Sequence, residues 1–256
     1  MMKWLERIGV RTTKFIEEIG NISLLFLQTI KWSLRPPLGF RNTLKQMEEV
    51  GVRSIPVVLI TAVSTGMVLA LQSHTGFKRF NAESMVGTVV ALSMTRELGP
   101  VLTALIVAGR AGAAMAAELG TMRVTEQIDA LSTMAANPIK YLIVPRLLAG
   151  MLMLPILTIF ADAVGIAGGY FVAVRMLDVN PVIYLRRTTD FLEFDDIYGG
   201  LLKAFVFGII IATVSCYKGF NTEGGAEGVG KATTGAVVLS SMLILISDYF
   251  MTAMLF

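Results

Sequence analysis

Five stretches of this 256-residue chain are apolar for about the thickness of a bilayer or more: approximately Ile55–Gln72, Met85–Ala117, Leu142–Val174, Gly199–Tyr217 and Gly235–Phe256. A helix needs about 20 apolar residues to cross a hydrocarbon core. No water is available there to backbone N–H and C=O groups, so each stretch reads as a helix that satisfies its own backbone. The second and third stretches, about 33 residues each, make helices roughly 50 Å long at 1.5 Å per residue. That exceeds a core of about 30 Å, so they must tilt, kink or project into water, and Pro100 and Pro155 are the expected kink points.

Composition agrees. Hydrophobic residues make up 54% of the chain and charged residues 16%, against about 25% charged in soluble domains. Mean hydropathy is +0.68. The expected fold class is an all-α integral membrane protein, with a helical N-terminal region over residues 1–54 and a five-helix transmembrane domain over 55–256. The net charge of +3 and pI near 9.0 do not point to nucleic acid, because nine of the 22 Lys and Arg precede the first apolar stretch. With that N-terminus inside, cytoplasmic segments hold fourteen Lys and Arg and outer segments five, which supports an inside N-terminus.

Residues 1–21 mix Glu6, Glu17 and Glu18 with basic residues and show no cleavage pattern, so a secretory signal is not expected. The apolar run Ile22–Ile30 is too short to span. It is flanked by Lys31, Trp32 and Arg35 and stopped by Pro36–Pro37, the pattern of a helix lying in the membrane interface. A soluble helical arm is the alternative. A single cysteine, Cys216, and a single histidine, His74, exclude a disulfide, a Cys/His metal set and a His-based triad. No catalysis and no metal are expected.

The second stretch holds RELGPVLTALIVAGRAGAAMAA, from Arg96 to Ala117. Ala108, Gly112 and Ala116 recur every four residues, the small-xxx-small pattern that lets helices approach closely, within a subunit or between two. A charge in hydrocarbon costs at least about 2.5–3.5 kcal/mol, so Arg96, Glu97 and Arg110 cannot face lipid. Arg96 and Glu97, adjacent and about 100° apart on a helix, either line an outward-open polar cavity or act as interhelical glue. Arg110 is expected to snorkel or to hold a lipid phosphate. Asp162 and Asp248 pose the same question in the third and fifth stretches, and either could partner an arginine.

Next comes an amphipathic pattern, about 124–136, with Val124, Ile128, Leu131 and Ala135 at helical spacing and Asn137–Pro138 ending it. It is either a packed loop or a docking helix for a cytoplasmic partner. GAEGVGKA (225–232) nearly matches a phosphate-binding loop, but Ala232 replaces the Mg²⁺-liganding hydroxyl, so it reads as a flexible linker.

The block ELGPVLTALIVAGRAGAAMAAELGTMRVTEQIDAL closely resembles the signature of the MlaE/YrbE permease family, membrane subunits of ABC-type lipid transporters that work with MCE-domain proteins. GMVLALQ, FADAVGIAGG and KATTGAVV fit as well, so the resemblance covers nearly the whole chain. It implies a homodimer in a bacterial inner membrane, with an interfacial N-terminal helix and a phospholipid substrate held in an outward-open cavity between the subunits. Leu69, Leu71, Phe77 and Phe80 would wall that cavity, with Arg96 and Glu97 near it. His74, Gly76 and the Lys78–Arg79 pair depart from the family's pattern. The resemblance further implies a cytoplasmic ABC ATPase docked on the helix over 124–136, through Arg123, Val124, Glu126, Gln127, Ile128 and Leu131, and a periplasmic MCE-domain hexamer on the outer face. ATP and Mg²⁺ would be bound by the ATPase, so this chain is expected to need no cofactor. Readings of a different class are an ion-gradient-driven carrier relaying protons through Glu97, Asp162 or Asp248, and a non-transporting scaffold.

Overall fold

The computed structural model describes residues 2–36 and 39–255, with side chains from residue 12 onward except 14 and 15. Pro37 and Phe256 lie outside the described residues. Among the described residues every regular element is helical. Five are long and apolar enough to cross a membrane: Phe40–Lys78, Glu83–Val124, Ile139–Arg175, Phe194–Phe220 and Gly225–Leu255. These correspond in order to the five apolar stretches, and the chain is a multi-pass, all-α membrane protein.

Helix α1 (Met2–Ser33) turns Leu25 and Thr29 inward and leaves Ile16, Ile19, Leu24 and Leu27 exposed. A water-soluble arm would hold that apolar row in solvent, whereas a membrane surface would bury it. Glu18 forms a close ion pair with Lys218 on the fourth span. The Trp32 ring lies 5.2 Å from the Arg35 guanidinium and 5.9 Å from the Lys140 ammonium. Helix α2 (Phe40–Val50) leads through a short turn into α3 (Ile55–Lys78).

The second span is three α-helical pieces, α4 (Val86–Ser93), α5 (Gly99–Val107) and α6 (Ala113–Val124), separated by π-helical turns at Met94–Leu98 and Ala108–Gly112. The second turn and most of the first fall within the singled-out motif, as MTREL and AGRAG. Pro100, an expected kink point, begins α5 directly after the first turn, and Pro155 lies inside the third span. After the short α7 (Gln127–Thr133) come α8 (Val144–Arg175), α9 (Pro181–Phe191), α10 (Phe194–Phe220) and α11 (Gly225–Leu255).

Helix α8 is the centre of the bundle, packed against α3 on one side and α10 on the other; α10 in turn packs on α6 and α11. The contacts are backbone-close. A Cβ on Gly66 of α3 would lie 1.9 Å from the Gly165 carbonyl oxygen of α8, and one on Gly208 of α10 would lie 2.3 Å from the Gly150 carbonyl oxygen. In lipid, where apolar surface is no reason for helices to associate, such close approach is the main attraction available.

Helix α9 caps one end of the bundle. Asn180 accepts hydrogen bonds from the Val182 and Ile183 amides and starts the helix. Tyr184 is buried against α4, edge-to-face with Tyr170 at 5.5 Å. That burial pushes its phenol up to about 12. At the other end Ile128 of α7 is buried with Leu119, Leu142 and Cys216.

GAEGVGKA proves to be the first turns of α11, not a flexible linker, and Lys231 pairs with Glu227 one turn back at 2.6 Å. The apolar stretch that opens at Gly235 in the sequence is thus the continuation of a helix begun ten residues earlier. The segment is therefore a helix start rather than the loop after a strand that the phosphate-binding pattern requires.

Candidate functional site

The Met94–Leu98 turn sets the site. Arg96 points to α10, where its Nε and Nη2 donate to Asp196 Oδ1 at 2.7 and 2.6 Å. Asp196 belongs to a capping box with Glu193, accepting the Glu193 amide at 3.1 Å, so the arginine grips the start of the fourth span. Glu97 points to Lys203, two turns deeper in α10, at 2.9 Å. Lys203 has no exposed surface and also lies 3.1 Å from Asp248 of α11. Its ammonium donates to Thr252 Oγ1 at 2.6 Å and to the Arg96 carbonyl at 3.0 Å. Thr252 in turn donates to Glu97 at 3.0 Å.

One cation and two carboxylates are thereby held between three spans, the arrangement that makes a buried charge tolerable at membrane depth. The carbonyl bond has a sequence cause. Proline lacks an N–H, so Pro100 cannot bond the carbonyl four residues back, which is that of Arg96. Lys203 uses that acceptor instead.

The interhelical role posed for Arg96 and Glu97 is therefore present. Each bonds another helix, yet Arg96 keeps 39% and Glu97 38% of its side-chain surface exposed. Asp248 finds a lysine rather than an arginine. Asp162 lies against the second span: its Oδ1, which has no hydrogen-bond partner among the described residues, stands 1.8 Å from where a Cβ on Gly99 would be. Arg110 is held by the α2–α3 junction. Its Nε donates to Ser54 Oγ at 2.9 Å and its Nη2 to the Glu49 carbonyl, tying the AGRAG turn to the α2–α3 junction.

Of the expected cavity wall, Leu69 and Phe77 pack inward with the Val58, Val86 and Val90 cluster, while Leu71 and Phe80 are exposed. These four residues lie on or just after α3, whereas Arg96 and Glu97 bond residues of α10 and α11. Ala108, Gly112 and Ala116 are buried, and they pack within the chain: a Cβ on Gly112 would meet Ser215 Oγ at 2.9 Å and one on Gly219 would meet the Ala116 carbonyl at 2.8 Å.

The helix expected over 124–136 divides. Val124 ends α6, Glu126 stands in the left-handed region at φ 61°, and α7 runs from Gln127 to Thr133. Arg123 bridges the break to Asp129 at 2.6 Å. Ile128 is buried and Leu131 half-buried, while Glu126 and Gln127 are exposed. Ala135, at φ 58°, has left the helix, so the apolar periodicity there is not a helical face.

Comparison with known proteins decides the family. A family model described as Permease MlaE matches residues 43–254, most of the chain and all five spans. The chain belongs to the MlaE permease family.

A probable ABC transporter permease protein of Rickettsia bellii is 52% identical over 249 residues, covering 97% of this chain and 96% of the relative. The intermembrane phospholipid transport system permease protein MlaE of Haemophilus influenzae is 34% identical over 257 residues, covering 100% and 98%. The chloroplastic protein TRIGALACTOSYLDIACYLGLYCEROL 1 of Arabidopsis thaliana is 39% identical over 244 residues, covering 95% of this chain and 70% of the plant protein.

Sequence reasoning missed Lys203 and Asp196. Lys203 lies alone in an apolar span, and an isolated cation there is itself a signal that acids face it. Asp196 ends the acidic run FLEFDD (191–196), where only its place at a helix start separates it from its solvated neighbours.

Proposed function

We propose that this chain is the permease subunit of an ABC transporter that moves phospholipid between the inner membrane and an outer MCE-domain conduit. Family membership gives the permease role. The observation carrying the lipid assignment is the Lys203 cluster with its half-exposed Arg96 and Glu97, set beside a fifth span whose Leu245, Ile246, Tyr249 and Phe250 are exposed. An ionic floor next to apolar walls suits a phosphate head and acyl tails.

In the working assembly two copies pair, so that the α3 residues Leu69, Leu71, Phe77 and Phe80 and the charged turn enclose one outward-open cavity. The α7 end and the N-terminus are cytoplasmic, in keeping with the excess of basic residues there. The partner ATPase binds ATP and Mg²⁺ and docks on Arg123, Val124, Glu126, Gln127, Ile128 and Leu131. The MCE ring covers the α9 end. Closure of the ATPase pair pushes α7, and α6 passes the push up the second span to the π turn bearing Arg96 and Glu97.

The test is ATP-dependent transfer of labelled phospholipid between membranes by the reconstituted complex. Glu97→Gln, which leaves Asp248 beside Lys203, should lower co-purified lipid and transfer together in protein that still elutes as a folded complex. Transfer on an ion gradient with no ATPase present would instead support a carrier. That reading is disfavoured because Glu97 and Asp248 share one lysine rather than forming a relay. Unchanged assembly with no transfer under any energy source would support a scaffold.

A further inference from the structure

A groove lies at the α7 end, away from the charged cluster. It measures about 310 Å³ and is lined by Gly39, Asn42, Asn137, Lys140, Tyr141 and Pro145. Asn42, Tyr141 and Pro145 also line an adjoining pocket of about 210 Å³, which adds Lys45, Glu118 and Arg146. The first volume is at the lower end of the roughly 300–1,000 Å³ typical of small-molecule sites.

The charges around it are unbalanced. Lys140 and Arg35 both approach the Trp32 ring, and among the described residues neither they nor Lys45 has a carboxylate within 4.0 Å. The Lys140 ammonium has only the Pro36 carbonyl, at 3.2 Å. Deeper in, Arg146 is 3% exposed; it donates to Glu118 and to the Leu142 carbonyl, each at 2.6 Å, but its buried Nε has no partner. Tyr141 at the groove and Leu152, three turns further along the third span, are both exposed. Trp32 marks headgroup depth, since indole rings favour that zone.

We propose that this groove binds an anionic phospholipid, its phosphate between Lys140, Lys45 and Arg35 and its acyl chain along Tyr141 and Pro145. It is a site for a resident lipid and not for cargo. The occupant is a lipid rather than free phosphate because the walls are largely apolar and the cations gather at Trp32, a side chain favoured at headgroup depth. Basic pockets between helices on the cytoplasmic face select anionic headgroups in this way. The groove joins the segment after α7 to the start of the third span, so an occupant there would stiffen the connection that the ATPase pushes. This last point rests on the proposed docking at α7; the binding itself does not.

Trp4 and Trp32 are the only tryptophans, so a Trp4→Phe chain reports on Trp32 alone. The full complex is reconstituted in zwitterionic phosphatidylcholine, and brominated phosphatidylglycerol or brominated phosphatidylcholine is titrated in. Saturable Trp32 quenching at low mole fraction is expected, with phosphatidylglycerol favoured on the order of tenfold. Lys140→Gln with Lys45→Gln should bring that preference to about one. Lys140→Gln alone should leave an intermediate value, which serves if the double variant assembles poorly. Equal, non-saturating quenching by both lipids would overturn the proposal. So would an unchanged preference in the variants, or displacement by 10 mM inorganic phosphate. Quenching does not depend on transfer, so a failure of the transport reading would leave this result standing.

Discussion

Lys203, with no exposed surface, holds its ammonium 2.9 Å from Glu97 across the contact between the second and fourth spans. The pair is the point at which the fold and the proposed activity depend on the same atoms. Removing one member of a buried ion pair costs about 3–5 kcal/mol, because the other charge stays behind unpaired. Lys203→Met strands two carboxylates, those of Glu97 and Asp248. It should lower the thermal midpoint in detergent and reduce lipid transfer at least tenfold. Adding Glu97→Gln and Asp248→Asn should recover most of the stability and none of the transfer. A triple variant no more stable than the single one would show that the three charges are not coupled.

Arg96 and Asp196 should behave asymmetrically. Asp196 serves the arginine and also accepts the Glu193 amide at the start of α10, whereas Arg96 is partly solvated. Loss of a helix cap alone costs about 1 kcal/mol. Asp196→Ala is therefore expected to destabilise more than Arg96→Ala, and the double variant should cost less than the two together by about 0.5–3 kcal/mol. Equilibrium unfolding of all four proteins in one detergent checks this; strict additivity would mean that the ion pair contributes nothing.

The spans were legible because lipid leaves a long apolar stretch one solution, and the π turns coincide with the residues that carry the family resemblance. What could not be read was which charge meets which. Arg96 and Glu97 are adjacent in sequence but serve different partners, 100 and 106 residues away. A one-dimensional pattern has no access to that pairing. The Arg110 partners were hidden for another reason, since one of them is a backbone carbonyl and leaves no mark in the sequence. The division of the 124–136 helix turns on Glu126, a non-glycine residue in the left-handed region. Apolar spacing carries through such a break without interruption.

Helix approach gives a sharp contrast between two glycines of the first span. A Cβ on Gly66 would lie 1.9 Å from a backbone oxygen of the third span, while one on Gly76 would meet nothing within 4 Å. Backbone cannot move aside as a side chain can, so Gly66→Ala should cost at least the 1–3 kcal/mol typical of overpacking. Gly76→Ala should be neutral within error. Yield of folded protein by fluorescence-detected size exclusion and its thermal midpoint measure both, and equal behaviour of the two would contradict the packing described.

The break at Glu126 separates backbone shape from charge as a basis for ATPase docking. Glycine adopts positive φ freely, and β-branched residues do so at a cost of about 1–3 kcal/mol. Glu126→Gly and Glu126→Val both remove the carboxylate, but only valine resists the observed φ of 61°. If α7 must be presented at this angle to its partner, co-purification of the ATPase should survive in the glycine variant and fall several-fold in the valine variant. Lipid transfer should follow the same order. Equal loss in both variants would assign the contact to the Glu126 carboxylate, and the left-handed turn would then be incidental to coupling.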